Sequence, residues 1–147
     1  MPEALRSGTV LAFDFGAART GVAVGDTALA IAHPLTTITT RSSDECLAQV
    51  EALIKEWQPV HLVVGLPCHA DGTPHEMTAR ARKFAQRLKG RFGRAVWLVD
   101  ERYTSEVAET MLGEAGVQRG RKQKPALDQV AAQVILTTWF DYAGEAV

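Results

Sequence analysis

The sequence VLAFDFGAARTGVAV, residues 10–24, decides how the rest of the chain is organised. Two short apolar runs flank a turn of small residues, a pattern typical of a β-hairpin with a glycine-containing loop. Asp14 places one carboxylate inside the first apolar run. Because a carboxylate in a buried strand is costly unless a cation, a proton or several donors compensate it, we interpret Asp14 as the first ligand of a divalent metal ion. This interpretation requires further oxygen ligands elsewhere in the chain.

The chain has 147 residues, the length of one domain (1–147) that buries roughly two-thirds of its unfolded surface. Its two cysteines, Cys46 and Cys68, have neither C-x-x-C nor C-x-x-H spacing, so neither a disulfide framework nor a structural zinc site is indicated. No apolar run approaches the roughly 18 residues that a membrane span needs. We therefore expect a cytoplasmic protein with no membrane partner.

Charges are unevenly distributed along the chain, although the net charge is only −1. Residues 75–94 carry seven lysines or arginines against one acid, and residues 119–124 carry four basic residues and no acid. Residues 100–114 instead carry five acids and one base. A basic surface beside an acidic centre suits a nuclease, because lysine and arginine bind phosphates whereas carboxylates bind divalent metals. Basic residues at helical spacing are also typical of an ordinary solvated face, so that alternative stays open.

Hydrophobic periodicity predicts the element order βββαβαβαα, an α/β fold. We expect strands at residues 9–15, 21–24, 36–40, 60–64 and 95–99. Helices are expected at residues 42–57, 73–88, 103–115 and 125–142. Because parallel strands linked by helices need right-handed crossovers, the predicted sheet is five-stranded and mixed, with the order 3-2-1-4-5 and helices flanking it. Pro34 has no N–H, so its surroundings lie either at a sheet edge or before the third strand begins.

Three carboxylates on separate elements are the candidate metal ligands. Ligands of such sheets bind beyond the carboxyl ends of the strands, between the first and fourth strands here, where Asp14, Gly65 and Glu101 are predicted to lie. Asp128, near the start of the last helix, supplies the third carboxylate. Taken singly, the three have ordinary explanations as a turn residue, an exposed ion-pair partner and a first-turn helix acid. Taken together, they match the oxygen ligands that two hard cations need.

Four segments resemble the YqgF family, RuvC-like members of the RNase H-like superfamily that are described as pre-16S rRNA nucleases and as Holliday junction resolvases. The segments are DFGAARTGVAVGD (14–26), VVGLP with DG (63–67 and 71–72), DERYTS (100–105) and LDQVAA (127–132). Their order and spacing cover roughly residues 10–141, and the combination is far more specific than any one segment. Two departures are mild: Gly25 stands where members often have serine, and CHA at 68–70 replaces an LNM-like stretch. The second departure leaves substrate contact by that loop open.

The resemblance implies an RNase H-like fold whose acidic triad, Asp14, Glu101 and Asp128, both binds metal and catalyses. The implied activity is that of a divalent-metal-dependent nuclease that hydrolyses phosphodiester bonds. The implied cofactor is Mg²⁺ or Mn²⁺, with two ions ~3.5–4 Å apart, one activating the attacking water and the other stabilising the leaving oxygen.

Basic residues near the triad and in the loop at 119–124 are the candidate substrate contacts. Arg19 and Arg102 would hold the scissile phosphate with paired N–H donors. For Arg102, an ion pair with a neighbouring acid is an equal alternative. The face carrying Arg80 and Arg87 would follow the nucleic-acid backbone together with the loop residues. Those loop residues are Arg119, Arg121, Lys122 and Lys124.

Several functions are compatible with this pattern. Processing of the pre-16S rRNA 5′ end is preferred, with RNA rather than a DNA junction as the substrate and pre-ribosomal particles as further partners. Holliday junction resolution is the alternative, and it requires two symmetric sites and therefore a dimer. A non-catalytic nucleic-acid-binding module stays open as well. An actin-like ATPase shares the Asp-x-Gly turn, but it binds nucleotide between two domains, and this chain has the length of one.

Two further groups of residues are assigned structural roles. The histidines and aspartate at positions 69, 71 and 75 fit no zinc-ligand spacing, and a turn is expected there. The three tryptophans are expected in the core rather than stacked on bases. They are Trp57, Trp97 and Trp139.

Overall fold

The computed structural model describes residues 7–16, 18–39, 42–67, 77–101 and 124–147, with the backbone alone for residues 124–126. Its strands are β1 (Thr9–Asp14), β2 (Arg19–Asp26), β3 (Ile31–Thr39), β4 (His61–Leu66), β5 (Ala95–Asp100) and β6 (Glu145–Ala146). Its helices are α1 (Ser43–Trp57), α2 (Thr78–Phe92) and α3 (Lys124–Tyr142). The helix expected at residues 103–115 lies outside the described residues.

The strands form one mixed sheet with the order β3-β2-β1-β4-β5-β6. β2 pairs antiparallel with β1 and β3, whereas β4 pairs parallel with β1 and β5. The predicted order of the first five strands is therefore confirmed. The sixth strand was not expected, because two residues carry no periodicity. It lies antiparallel to β5, where a Cβ on Gly144 would come within 2.4 Å of the Leu98 carbonyl oxygen.

β3 begins five residues earlier than expected and contains Pro34. Pro34 pairs with Ala23 next to a register shift between Val22 and Ala23 of β2. Because β3 is the edge strand, the absent proline N–H removes no ladder hydrogen bond from the sheet interior. Of the two expectations for Pro34, the edge position is the correct one.

The two faces of the sheet bury separate cores. Leu11 and Phe13 of β1 pack with residues of α1 and α2, whereas Val10 and Ala12 pack with residues of α3. Side chains alternate along a strand, so the end of β1 continues the pattern. Asp14 falls on the α3 face and Phe15, which packs against the α1–α2 core, falls on the other face.

The helix ends follow local sequence where they are described. Ser42 caps α1, accepting a hydrogen bond from the Glu45 N–H at 3.2 Å, as the capping-box pattern predicts. α2 begins at Thr78, whose hydroxyl donates to the Pro67 carbonyl, and the caps expected at 73–76 lie outside the described residues. No helix in the described part of the chain is long and apolar enough to cross a membrane.

The expectation that all three tryptophans are core residues is wrong for one of them. Trp97 and Trp139 are buried, and the Trp97 indole N–H donates to Nδ1 of the buried His61 at 3.1 Å. Trp57 lies in the last turn of α1 and is 36% exposed. Helical spacing places Trp57 near the apolar stripe, but the helix ends there, at Gln58 in a left-handed conformation.

Candidate active site

Asp14 ends β1 and lies opposite Gly21 of β2 in the antiparallel register. Gly21 allows α3 to approach the sheet closely, since a Cβ at that position would lie 1.9 Å from the Asp128 carbonyl oxygen. The first turns of α3 are therefore seated directly on β2, one strand away from Asp14. This seating brings Asp128 to the same end of the sheet as Asp14.

Glu101 follows the end of β5, and β4 separates β5 from β1. The side chain of Glu101 reaches Asp14 across β4 at Gly65, the residue that pairs with Val99. A Cβ on Gly65 would lie 3.0 Å from the Glu101 carboxyl carbon and 2.4 Å from Cδ1 of Ile135. The absent side chain at Gly65 thus provides the space in which the two carboxyl groups meet.

Asp14 and Glu101 are hydrogen-bonded to each other, and both are partly buried. Burial raises the pKa of Asp14 from 3.8 to about 6; the negative charge of Asp128 adds to the rise, and the hydrogen bond from Glu101 opposes it. Burial also raises the pKa of Glu101 from 4.5 to about 8, with further contributions from the charge of Asp14, their hydrogen bond and the charge of Asp100. The directions fit a protonated Glu101 that donates to an ionised Asp14.

Asp128 is held by an ion pair with Arg19, whose Nε donates to Oδ2 at 2.7 Å. Arg19 is the first residue of β2, and a Cβ on Gly16 would lie 2.4 Å from the Arg19 carbonyl oxygen. The side chains are 36% and 22% exposed, so the pair lies at the rim of the site rather than in the core. Arg19 therefore balances the charge of the third carboxylate.

The donor set fits a divalent cation chemically but is not arranged as a closed cage. In the described ranges, no group of three or more His, Cys, Asp or Glu side chains is placed to hold a metal ion. Asp14 and Glu101 nevertheless form a partly buried, hydrogen-bonded carboxyl pair, and desolvation is the largest cause of their raised pKa values. The third candidate carboxylate, Asp128, has its Oδ2 bound to Arg19.

The remaining candidate substrate contacts fall largely outside the described residues. Arg102, Arg119, Arg121 and Lys122 lie there, as do Cys68, His69, Asp71 and His75. Lys124 is the first residue of α3, and only its backbone is described. The structure thus locates one proposed phosphate-binding residue, Arg19, beside the carboxylates.

Sequence reasoning missed the residues that make room for the site. Gly21 was assigned only to a strand, and Gly65 only to a strand end, without their role in bringing Asp128 and Glu101 close. A glycine inside a strand is a known sign of close approach by other groups, so the signal was present. The effect of the Asp100 charge on Glu101 was also missed.

Comparison with solved structures places this arrangement in a known class of fold. Thermus thermophilus RuvC in complex with a Holliday junction substrate is similar with a TM-score of 0.60 and 16% identity, over 95% of this chain and 99% of that one. A second structure of the same enzyme gives a TM-score of 0.58 at 15% identity, with the same coverage. The protein therefore has a RuvC-like fold, in the α/β class predicted from its sequence.

Residues 8–142 match the family model RuvX, described as Holliday junction resolvase, and the chain belongs to this family, which is the YqgF family. A relative from Chromobacterium violaceum is 66% identical over 93% of this chain and 100% of its own length. Another, from Nitrosospira multiformis, is 57% identical over 92% of this chain and 89% of its own length. Both relatives carry the name "Putative pre-16S rRNA nuclease".

Proposed function

We propose that this protein is a divalent-metal-dependent nuclease that hydrolyses phosphodiester bonds in the precursor of 16S rRNA, at its 5′ end. The observation that carries the proposal is the partly buried, hydrogen-bonded Asp14–Glu101 pair at the carboxyl ends of β1 and β5, with Asp128 close enough to raise the pKa of Asp14. Two hydrogen-bonded carboxyl groups whose pKa values are both raised are typical of a functional site. The names of the relatives favour the RNA substrate.

Asp14, Glu101 and Asp128 would hold Mg²⁺ or Mn²⁺, with two ions in the full site. Bound there, such ions supply an activated water and neutralise charge on the leaving oxygen. Carboxylate oxygens are hard ligands of the kind that these ions prefer. Release of the proton shared by Asp14 and Glu101 frees both groups to act as ligands.

Arg19 has a second role in this proposal. Its Nε is occupied by Asp128, but a guanidinium carries five N–H donors in a planar fork. The remaining donors would bind the scissile phosphate while Arg19 stays at the rim of the carboxylate cluster. Arg102 and the basic residues of the 119–124 loop, Arg119, Arg121, Lys122 and Lys124, would bind neighbouring phosphates, which gives salt-sensitive and sequence-independent affinity.

Holliday junction resolution is the second candidate, favoured by the family description and by the RuvC-like fold. It requires two sites that act symmetrically and therefore a dimer. RNA processing requires one site and a reachable single-stranded segment, and pre-ribosomal particles would then be the natural partner. A non-catalytic binding module is the third candidate.

A cleavage panel separates these functions. Purified protein is incubated with Mg²⁺ or Mn²⁺ on a pre-16S-like RNA, a four-way DNA junction and single strands of each kind, with EDTA as the metal-free control. We expect metal-dependent cleavage of the precursor RNA. Cleavage of the junction alone would establish the resolvase instead, and no cleavage with retained RNA binding would establish the binding module.

A further inference from the structure

A second concave site lies at the same end of the sheet as the carboxylates but on the α1–α2 face. It is a groove of about 160 Å³ bounded by the end of β1, the start of α1 and one face of α2. By a comparable measure a single water needs roughly 10–15 Å³, so the groove admits a group the size of a phosphate. Phe15, which lines it, is the residue next to Asp14.

Three cations of α2 converge on this groove. Arg80, Lys83 and Arg87 lie three and four residues apart, so they share one helix face, and all three line the groove. In the part of the chain that the structure describes, none of them forms an ion pair, and Arg80 donates to the sulfur of Met77 at 3.6 Å. Three like charges gathered around one concave site favour an anionic ligand.

The other cations of α2 are engaged elsewhere. Arg82 pairs with Glu145 at 3.6 Å, and Lys89 donates to the carbonyl of Val147. Arg91 lies over the ring of Phe92 at 5.9 Å. The basic residues of α2 therefore divide into a set with partners inside the protein and a set that faces the groove. An ordinary solvated helix face would not require its basic residues to be divided in this way, so the division favours a ligand for the groove.

Phe15 gives the groove an aromatic wall. Its ring is stacked on Phe84, with the centroids 4.6 Å apart and the planes 27° apart. Phe84 in turn packs edge-on against the fully buried Phe13, which fixes the stack to the core. Phe15 itself is only partly buried. A supported aromatic ring beside a row of cations is the combination by which proteins bind single-stranded nucleic acid.

We propose that this groove binds a single-stranded segment of the nucleic acid next to the cleaved bond, a proposal that rests on the nuclease function proposed above. Arg80, Lys83 and Arg87 contact backbone phosphates, and a base stacks on Phe15. Because Asp14 and Phe15 point to opposite faces of the sheet, the strand passes over the end of β1 between the two sites. A duplex keeps its bases stacked inside and presents none to Phe15.

The test compares two double variants that remove the same charge from the same helix. Binding of a fluorescein-labelled single-stranded 12-mer oligouridine is measured by anisotropy over a salt series, in EDTA so that the RNA stays intact. Arg80→Ala with Arg87→Ala should weaken binding at least about tenfold and lower the slope of log affinity against log salt by about 1.4, or about 0.7 for each lost phosphate contact. The control, Arg82→Ala with Arg91→Ala, should keep the wild-type slope.

The aromatic contact is tested without any change of charge. Phe15→Leu should weaken binding about fivefold or more, as expected for loss of one stacked base, and leave the salt slope unchanged. Phe92→Leu, on the same helix as the cations but outside the groove, is the matched control and should bind as the wild type does. Thermal melting of every variant separates loss of binding from loss of fold.

The outcomes distinguish the groove from the nuclease function. If the wild-type protein cleaves RNA but the two double variants bind the oligouridine equally well, the proposed role of the groove is overturned and the proposed nuclease function stands. Absence of both cleavage and binding in the wild type would overturn both. The third outcome concerns duplex RNA. If Arg80→Ala with Arg87→Ala weakens the binding of duplex RNA as much as that of single-stranded RNA, and Phe15→Leu weakens neither, the groove contacts a duplex and single-strand binding is overturned.

Discussion

The two faces of the sheet carry charges of opposite sign at the same end of the sheet. The two groups of charges differ in whether they have partners within the protein. On the α3 face the carboxylates are compensated within the protein: Glu101 shares a hydrogen bond with Asp14, and Asp128 pairs with Arg19. On the α1–α2 face the three groove cations have no ion-pair partner among the described residues. The difference agrees with the ligands proposed for the two sides: a cation at the partly buried carboxyl pair and an anion in the groove.

The largest expected effect concerns the carboxylate face. Asp14→Asn removes one charge of the proposed metal site, and because a metal bound there would contribute several kcal/mol to the transition state, cleavage should fall about a thousandfold or more. The groove variant Arg80→Ala with Arg87→Ala should instead raise KM more than it lowers kcat, since it acts on substrate binding. Steady-state cleavage of the precursor RNA measures both.

Asp141→Asn is the matched control for the carboxylate variants. Asp141 is exposed near the end of α3, far along the helix from Asp128, so its loss should leave cleavage unchanged. Equal losses in Asp14→Asn and Asp141→Asn would show that net charge rather than the site controls the activity.

The second prediction concerns the pH dependence of stability in the metal-free protein. The pKa values of Asp14 and Glu101 are raised on folding, to about 6 and about 8, so the native state binds more protons than the unfolded state between pH 4 and 8. Their contribution is fully present below their unfolded pKa values and is lost as pH rises through 6 and then 8. Urea unfolding in EDTA should therefore show stability falling over this window, by an amount on the order of a few kcal/mol.

Two variants and added Mg²⁺ test whether Asp14 and Glu101 cause this pH dependence. Asp14→Asn and Glu101→Gln should each flatten the decline, because each removes one member of the coupled pair. Saturating Mg²⁺ should restore stability at high pH, where the carboxylates are ionised and able to bind it. A wild-type profile that rises between pH 5 and 8 in EDTA would contradict the protonated pair.

The third prediction concerns the glycine that seats α3. Gly21→Ala would place a methyl group 1.9 Å from the Asp128 carbonyl oxygen, which is backbone and cannot rotate away. We expect a loss of about 1–3 kcal/mol in the free energy of unfolding, the usual range for overpacking, together with reduced cleavage as Asp128 moves. Gly90→Ala in α2 has open space around it and should stabilise the protein by about 0.5–1 kcal/mol. Chemical denaturation measures both variants.

Some of these features were predictable from sequence and others were not. The order of the first five strands followed from hydrophobic periodicity and crossover handedness, which depend on local pattern and general rules. Asp14 and Glu101 were proposed as neighbours because both follow strands whose carboxyl ends meet. The Arg19–Asp128 pair was not predictable, since it joins side chains 109 positions apart whose rotamers are set by packing. The short β6 and the exposure of Trp57 were not predictable either, since they depend on the exact residues at which a strand or helix begins and ends.

The smallest expected effect concerns the Arg19–Asp128 pair, the one ion pair that the described residues form on the α3 face. Because both side chains are partly exposed, the pair should contribute no more than about 1 kcal/mol to stability. A double-mutant cycle of Arg19→Gln and Asp128→Asn, followed by urea unfolding, measures this coupling directly. If Arg19 stands in for a metal at Asp128, Arg19→Gln should also raise the affinity for Mn²⁺ measured by calorimetry. A coupling of several kcal/mol with unchanged Mn²⁺ affinity would instead make the pair a fixed structural element. The charge of Asp128 would then be neutralised permanently by Arg19, in contrast to the groove cations, which have no ion-pair partner among the described residues.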